Sequence, residues 1–209
     1  MDLLHNSCLL TIDMQADFYR PDAPLPVDGT AEVLPALQRV AAAYRTAALP
    51  IVHAVRLYLA DGSNAEPVRR ELVRSKNVVR PGSAGSQLAP ELLPPGGCNL
   101  DPDLLLDGKL QPVGPREWIM YKPRWGAFYR TELESHLHSL GVETVVVVGC
   151  NFPNCPRTTL YEASERDFAT GLVSDAVSGV YDVGLGELTR IGAAVMTADE
   201  LVERVAGRD

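Results

Sequence analysis

The chain of 209 residues carries 27 acidic against 19 basic side chains, a formal charge of −8, with 46% hydrophobic residues and four cysteines. The apolar content excludes a disordered chain, and no run of about 20 apolar residues offers a membrane span. The acidic balance argues against nucleic acid as a partner, because phosphate binding relies on clustered Lys and Arg. A chain of this size buries about 70% of its unfolded surface, so one domain over residues 1–209 is expected. Cys8, Cys98, Cys150 and Cys155 are too few and too irregularly spaced for a disulfide framework or a paired zinc site. Any cysteine that matters here does so as a thiol. The segment Met1-Asp2-Leu3-Leu4-His5-Asn6 lacks the basic n-region of a secretory signal, which reads as a cytoplasmic protein.

Periodicity predicts alternating strands and helices. Cys8–Ile12 is a short apolar run ending at Asp13, and it reads as a buried strand. Val33, Leu34, Leu37, Val40, Ala41 and Tyr44 share one helical face, with Pro35 tolerable in the first turn. Residues 50–55 form the second strand. Residues 57–116 then hold eight of the 16 prolines, so they read as a Pro/Gly-rich excursion with one helix near Glu66–Ser75. Regularity returns with a strand at Trp118–Tyr121, a helix opened by a Thr131-x-x-Glu134 capping box and stopped by Gly141, and the β-branched strand Thr144–Gly149. A helix from Pro156 to about Phe168, strands at Gly171–Ser174 and Ala193–Met196, and a helix capped by Thr197-x-x-Glu200 complete the chain. Six strands alternating with helices imply a doubly wound, mainly parallel α/β sheet.

Ligands bind such sheets at the carboxyl ends of the strands. Asp13, Lys122 and Cys155 fall at three of those ends, an acid, a cation and a thiol able to converge on one crevice. Pro156 suits a first helical position, which would make Cys155 the N-cap. A helix N-terminus and a nearby cation would depress its pKa, and a thiolate attacks carbonyl carbon. An activated thiol at 155 would also be alkylated before Cys8, Cys98 and Cys150. Phe18, Arg56, Arg124, Trp125, Tyr129 and Phe152 are candidates to line a pocket for an aromatic or carboxylate-bearing amide, with Arg124 and Trp125 foremost. His53, inside a strand, reads as a core histidine, and His136 and His138 lie two apart on a helix and face different ways.

Three motifs carry a resemblance: Thr11-Ile12-Asp13-Met14-Gln15-Ala16-Asp17-Phe18, Tyr121-Lys122-Pro123-Arg124-Trp125-Gly126-Ala127-Phe128, and Gly149-Cys150-Asn151-Phe152-Pro153-Asn154-Cys155 followed by Asp175-Ala176. In this order they resemble the isochorismatase-like cysteine hydrolase superfamily, relatives of nicotinamidases and N-carbamoylsarcosine amidases, over about residues 7–200. The resemblance implies a three-layer αβα sandwich, assembly into a homodimer or homotetramer, and an Asp13, Lys122, Cys155 triad. It further implies an oxyanion hole from the backbone N–H groups of Asn151 and Cys155, with a cis peptide at Cys150–Asn151; Phe152–Pro153 is a second candidate cis bond. The implied activity is cysteine-dependent hydrolysis of a C–N bond in a small amide, ureido or cyclic amide substrate through a thioester, without cofactor. A vinyl ether hydrolase using Asp13, or a catalytically silent binding subunit, are the alternatives. The metal-binding Asp-x-His of nicotinamidases has no match around Val52-His53-Ala54-Val55-Arg56, so no metal is expected.

Overall fold

The computed structural model describes residues 4–207. In chain order its elements are β1 (Ser7–Ile12), α1 (Ala16–Tyr19), α2 (Leu34–Thr46), β2 (Ile51–Val55), α3 (Arg70–Lys76), α4 (Pro102–Leu106), β3 (Gln111–Gly114) and β4 (Glu117–Tyr121). There follow α5 (Leu133–Ser139), β5 (Thr144–Gly149), α6 (Cys155–Ser164), β6 (Ala169–Val177), α7 (Asp182–Arg190), β7 (Ala194–Met196) and α8 (Ala198–Ala206). The strands form one sheet in the order β3-β4-β2-β1-β5-β6-β7, parallel except for β3. From β1 the chain winds outward through β2 to β4, then returns across the sheet to β5 and winds the other way. Right-handed crossovers in opposite directions put helices on opposite faces. Accordingly α2 packs with α8 in one layer, while α6 lies over β5 and β6 in the other, giving an αβα sandwich.

The sheet has seven strands where the sequence pattern yields six. The extra one, β3, comes from the proline-rich excursion and runs antiparallel on the edge, where Pro112 needs no ladder partner on its outer side. The helix expected near Glu66–Ser75 is present as α3, and the excursion is more structured than its prolines suggest, since it also holds α4. The Thr197/Glu200 capping box forms as expected, with both reciprocal bonds present. The Thr131/Glu134 box does not. Thr131 Oγ1 donates instead to the Ala127 carbonyl at 2.6 Å, and α5 starts two residues later at Leu133. The unforeseen α7 contains Gly184, whose helix-weakening absence of a side chain has a packing reason. A Cβ there would lie 2.4 Å from the Phe152 ring.

β5 is buried at every position, as its Val145–Val148 run demands. It ends at Gly149, with φ of +116°, where a Cβ would stand 2.3 Å from the Ile12 carbonyl oxygen. Glycine is therefore required where β5 passes the end of β1, at the point where the strand order reverses.

A polar chain crosses the other half of the sheet. Thr11 Oγ1 (β1) and His53 Nδ1 (β2) are 2.7 Å apart, His53 Nε2 and Glu117 Oε1 (β4) are 2.7 Å apart, and Arg45 of α2 binds both Glu117 oxygens at 2.7 and 2.9 Å. Burial lowers the His53 pKa, so the ring is neutral. Its Nε2–H then donates to the carboxylate, and Nδ1 accepts from the threonine hydroxyl. Burial alone would raise the Glu117 pKa, but the bonds from Arg45 and His53 prevail and hold it at about 2.

Acid should expose this network. The carboxylate's advantage is complete above its ordinary 4.5 and is lost as pH falls toward about 2. His53 acts in the same direction below 6.5. Denaturant titrations should show roughly 3 kcal/mol of stability lost across the carboxylate window. Glu117→Gln should be less stable at neutral pH by roughly 3–5 kcal/mol, with a flatter acid limb; an unchanged acid limb would contradict the assignment.

Candidate active site

Four loops meet beyond the carboxyl ends of the central strands. Asp13 follows β1 directly, its N–H bonded to the Ala54 carbonyl at 2.9 Å and its φ at +53°. A left-handed backbone at a non-glycine residue costs about 1–3 kcal/mol and persists where neighbours over-determine it. Lys122 follows β4, its N–H bonded to the Val55 carbonyl at 2.9 Å. Its side chain is fully buried, with Nζ 2.8 Å from Asp13 Oδ2 and 3.3 Å from the Arg124 carbonyl. Asp13 Oδ1 is buried and has no hydrogen-bond partner.

Cys155 opens α6, and its residue 6% exposure leaves a sliver of sulfur surface at most. The turn after Lys122 is tied to the same helix: the Ala127 N–H donates to Thr159 Oγ1 at 3.1 Å and the Phe128 N–H to Glu162 Oε2 at 2.9 Å. Asp13, Cys155, Cys150, Asn151 and Asn154 line a cavity of about 120 Å³, with Phe18, Leu25, Val27, Arg56, Tyr58, Arg69 and Trp125 as its other walls. Lys122 stands behind Asp13 and does not reach that wall.

Two expectations about Cys155 need correcting. The N-cap is Asn154, and Cys155 is the first helical residue with Pro156 after it. The thiol pKa is raised rather than depressed: burial contributes most, the Asp13 charge adds to it, and Lys122 and Arg56 pull the other way without overcoming them. The thiol therefore rests protonated beside a carboxylate.

The turn between β5 and α6 spends some of its N–H groups internally. Cys150 donates to the Ile12 carbonyl at 2.9 Å, Phe152 to Ser178 at 2.7 Å and Asn154 to Asn151 at 3.1 Å. Among the described residues, the N–H groups of Asn151 and Cys155 are absent from these turn bonds. The peptide bonds of the turn are all trans, so neither Cys150–Asn151 nor Phe152–Pro153 is the cis bond expected.

Of the anticipated pocket residues, Phe18, Arg56 and Trp125 line the cavity. Arg124 does not: its Nη1 donates to the Pro123 and Asn64 carbonyls at 2.7 and 2.9 Å, and its guanidinium lies over Tyr129. Phe152 is fully buried, edge-on to Tyr181 at 5.3 Å, and belongs to the packing behind the turn. Tyr129 is exposed and outside the cavity. The sequence reading missed Leu25, Val27 and Tyr58, which come from aperiodic loops, Arg69, in the helical turn that opens α3, and Asn154, the N-cap of α6. The only signal was proximity to Arg56 for Tyr58.

The residues do not fit a nicotinamidase-type metal. Both ring nitrogens of His53 are engaged by Thr11 and Glu117, and among the described residues no group of three or more His, Cys, Asp and Glu side chains could hold an ion. No helix among them is long and apolar enough to cross a membrane.

An αβα sandwich with an acid, a lysine and a cysteine at the strand-order reversal defines a class, and comparison with known proteins agrees. Residues 7–100 and 101–200 match the isochorismatase domain, and the chain belongs to that family. It is 28% identical over 208 residues to a probable inactive nicotinamidase of Arabidopsis thaliana, covering 96% of this chain and 97% of that protein. It is 29% identical over 177 residues to the ureidoacrylate amidohydrolase RutB of Methylobacterium radiotolerans, covering 80% of this chain and 65% of that longer protein. An isochorismatase family protein from Desulfovibrio vulgaris superposes with a TM-score of 0.81 at 29% identity, covering 96% of this chain and 98% of that one.

The resting thiol makes a labelling order. Cys98 is exposed, whereas burial pushes the Cys8 and Cys150 thiols to about 12 and raises that of Cys155. Limited iodoacetamide at neutral pH should alkylate Cys98 first, reversing the order expected from sequence. Peptide mapping that finds Cys155 modified first would contradict a buried, protonated thiol.

Proposed function

We propose that the protein is a cysteine hydrolase that cleaves the C–N bond of a small amide or ureido substrate through a thioester on Cys155. One observation carries the reading. The Asp13 carboxylate has one oxygen fixed by buried Lys122 at 2.8 Å and the other unpartnered, beside the Cys155 thiol in the same cavity. That arrangement suits an acid/base serving a nucleophile. The kinship with an amidohydrolase supports the reaction class.

The geometry supports the following steps. When a carbonyl carbon reaches Sγ, Asp13 takes the thiol proton and the sulfur attacks. Charge moves from the carboxylate to the carbonyl oxygen, which the N–H groups of Asn151 and Cys155 receive. Each such donor is worth about 3–4 kcal/mol in other acyl-transfer enzymes. Asp13, now protonated, gives its proton to the leaving nitrogen, and the C–N bond breaks to leave the thioester. Water deprotonated by the same carboxylate attacks the thioester, and the acid leaves as Cys155 regains its proton. Lys122 keeps Asp13 oriented at the start of each half-reaction. The Arg56 and Lys122 charges also favour sulfur's brief anionic state.

An ammonia-release screen over small amides and ureido acids should find a substrate, and Cys155→Ala should abolish its turnover. Asp13→Asn should lower kcat by about 10²–10⁴-fold, the usual worth of a positioned acid/base. Turnover that survives Cys155→Ala but not Asp13→Asn would overturn the thioester route.

A further inference from the structure

Arg56 is held more tightly than a wall residue requires. Gln15 clamps its backbone: the side-chain Oε1 accepts from the Arg56 N–H and Nε2 donates to the Arg56 carbonyl, both at 2.7 Å, and Nε2 also donates to Ser86 at 2.7 Å. The side chain is 2% exposed, and its Nη2 donates to Glu66 Oε1 at 2.6 Å. Its guanidinium carbon lies 5.7 Å from the Tyr58 ring centre and 5.8 Å from that of Trp125. Nη1, by contrast, is buried with no hydrogen-bond partner. Folded proteins rarely leave a buried charged donor unfilled, so one in a cavity wall calls for a partner.

Charge balance agrees. Lys122 is neutralised by Asp13 and Arg56 by Glu66. Arg69 also lines the cavity, half-buried with its guanidinium 4.4 Å above the Trp125 ring, and among the described residues it has no carboxylate partner. Burial opposes a charge on Arg56, but the neighbouring carboxylates of Asp13 and Glu66 keep it protonated. The cavity therefore holds one positive charge in excess and one guanidinium nitrogen, Arg56 Nη1, without a partner. The space is small, about 120 Å³, with Tyr58 and Trp125 among its walls, which suits a small anion.

We propose that Arg56 Nη1 and Arg69 form the recognition site for a carboxylate carried by the substrate, with Gln15 and Glu66 as positioning residues that fix the Arg56 fork. The carboxylate sits a few atoms from the scissile carbonyl, since both must fit one small cavity with Cys155. This rests on the amidohydrolase reading for its chemistry but is tested by binding.

The probes are succinamate and succinamide, alike in shape and differing in one carboxylate. Calorimetry on the Cys155→Ser protein should show succinamate binding about tenfold tighter or more, the usual worth of a buried charge-assisted bond. The Arg56→Gln/Glu66→Gln variant, which strands no buried carboxylate, should lose most of the preference for succinamate while still binding succinamide. Arg69→Ala should shrink the preference, and Gln15→Ala should weaken succinamate while leaving succinamide unchanged. Equal binding of the pair to the Cys155→Ser protein, no succinamate binding at millimolar concentration, or parallel loss of both in the double variant would overturn the site. Should the double variant not fold, an unchanged preference in Arg69→Ala and Gln15→Ala overturns it instead. Turnover surviving in Cys155→Ala would remove the thioester reading without touching this preference. A missing preference with Cys155-dependent turnover intact would remove the carboxylate site alone.

Discussion

The burial of the Lys122 ammonium against Asp13 is the constraint around which the site is arranged. A lysine with no exposed surface is untenable unless paired, and Asp13 Oδ2 at 2.8 Å supplies the pair. The two residues follow β1 and β4, which are separated by β2, so their meeting depends on the register of all three strands. The chain from Thr11 through His53 and Glu117 to Arg45 crosses those same strands. A slip of one residue would break both networks together. The left-handed backbone at Asp13 is sustained by the same lattice of bonds.

This pair also decides how the cysteine behaves. A lysine placed directly against the sulfur would create a standing thiolate. Here the carboxylate stands in the cavity wall and the lysine behind it, so the net local influence of Asp13 is to keep the proton on Cys155. In the proposed reaction, reactivity is conditional: the proton would leave only as a developing oxyanion found the N–H groups of the β5–α6 turn. A thiol of this kind resists adventitious electrophiles and still serves a substrate that fits.

Much of this was legible in the sequence, and what was not has physical reasons. Buried parallel strands announce themselves as short apolar runs, and the residues that close them, Asp13 and Lys122, could be named from position alone. The direction of the Cys155 pKa shift could not, because it depends on burial and on which charge faces the sulfur, neither of which a local motif encodes. Arg124 illustrates a similar limit: it is adjacent in sequence to the Lys122 turn, yet backbone carbonyls absorb its guanidinium. The edge strand β3 and the walls from Leu25, Val27 and Arg69 come from proline-rich or aperiodic segments, where pairing is set by tertiary contact rather than pattern. The failed Thr131 box and the formed Thr197 box share the same motif. They differ in which N–H the threonine oxygen accepts from: Glu200 for Thr197, but Leu133 for Thr131, whose hydroxyl is also turned to donate to the Ala127 carbonyl.

The most direct test of the account is the ionisation of Cys155 itself, followed by thiolate ultraviolet absorbance against pH as the difference between the native protein and Cys155→Ser. With Asp13 intact, the titration should fall above the ordinary thiol range, with no thiolate at neutral pH. In Asp13→Asn, which removes the negative charge and leaves Lys122 unpaired, it should move to lower pH. A thiolate plateau at neutral pH in the native protein, or no downward shift in Asp13→Asn, would contradict the claim that burial and the Asp13 charge together keep the thiol protonated.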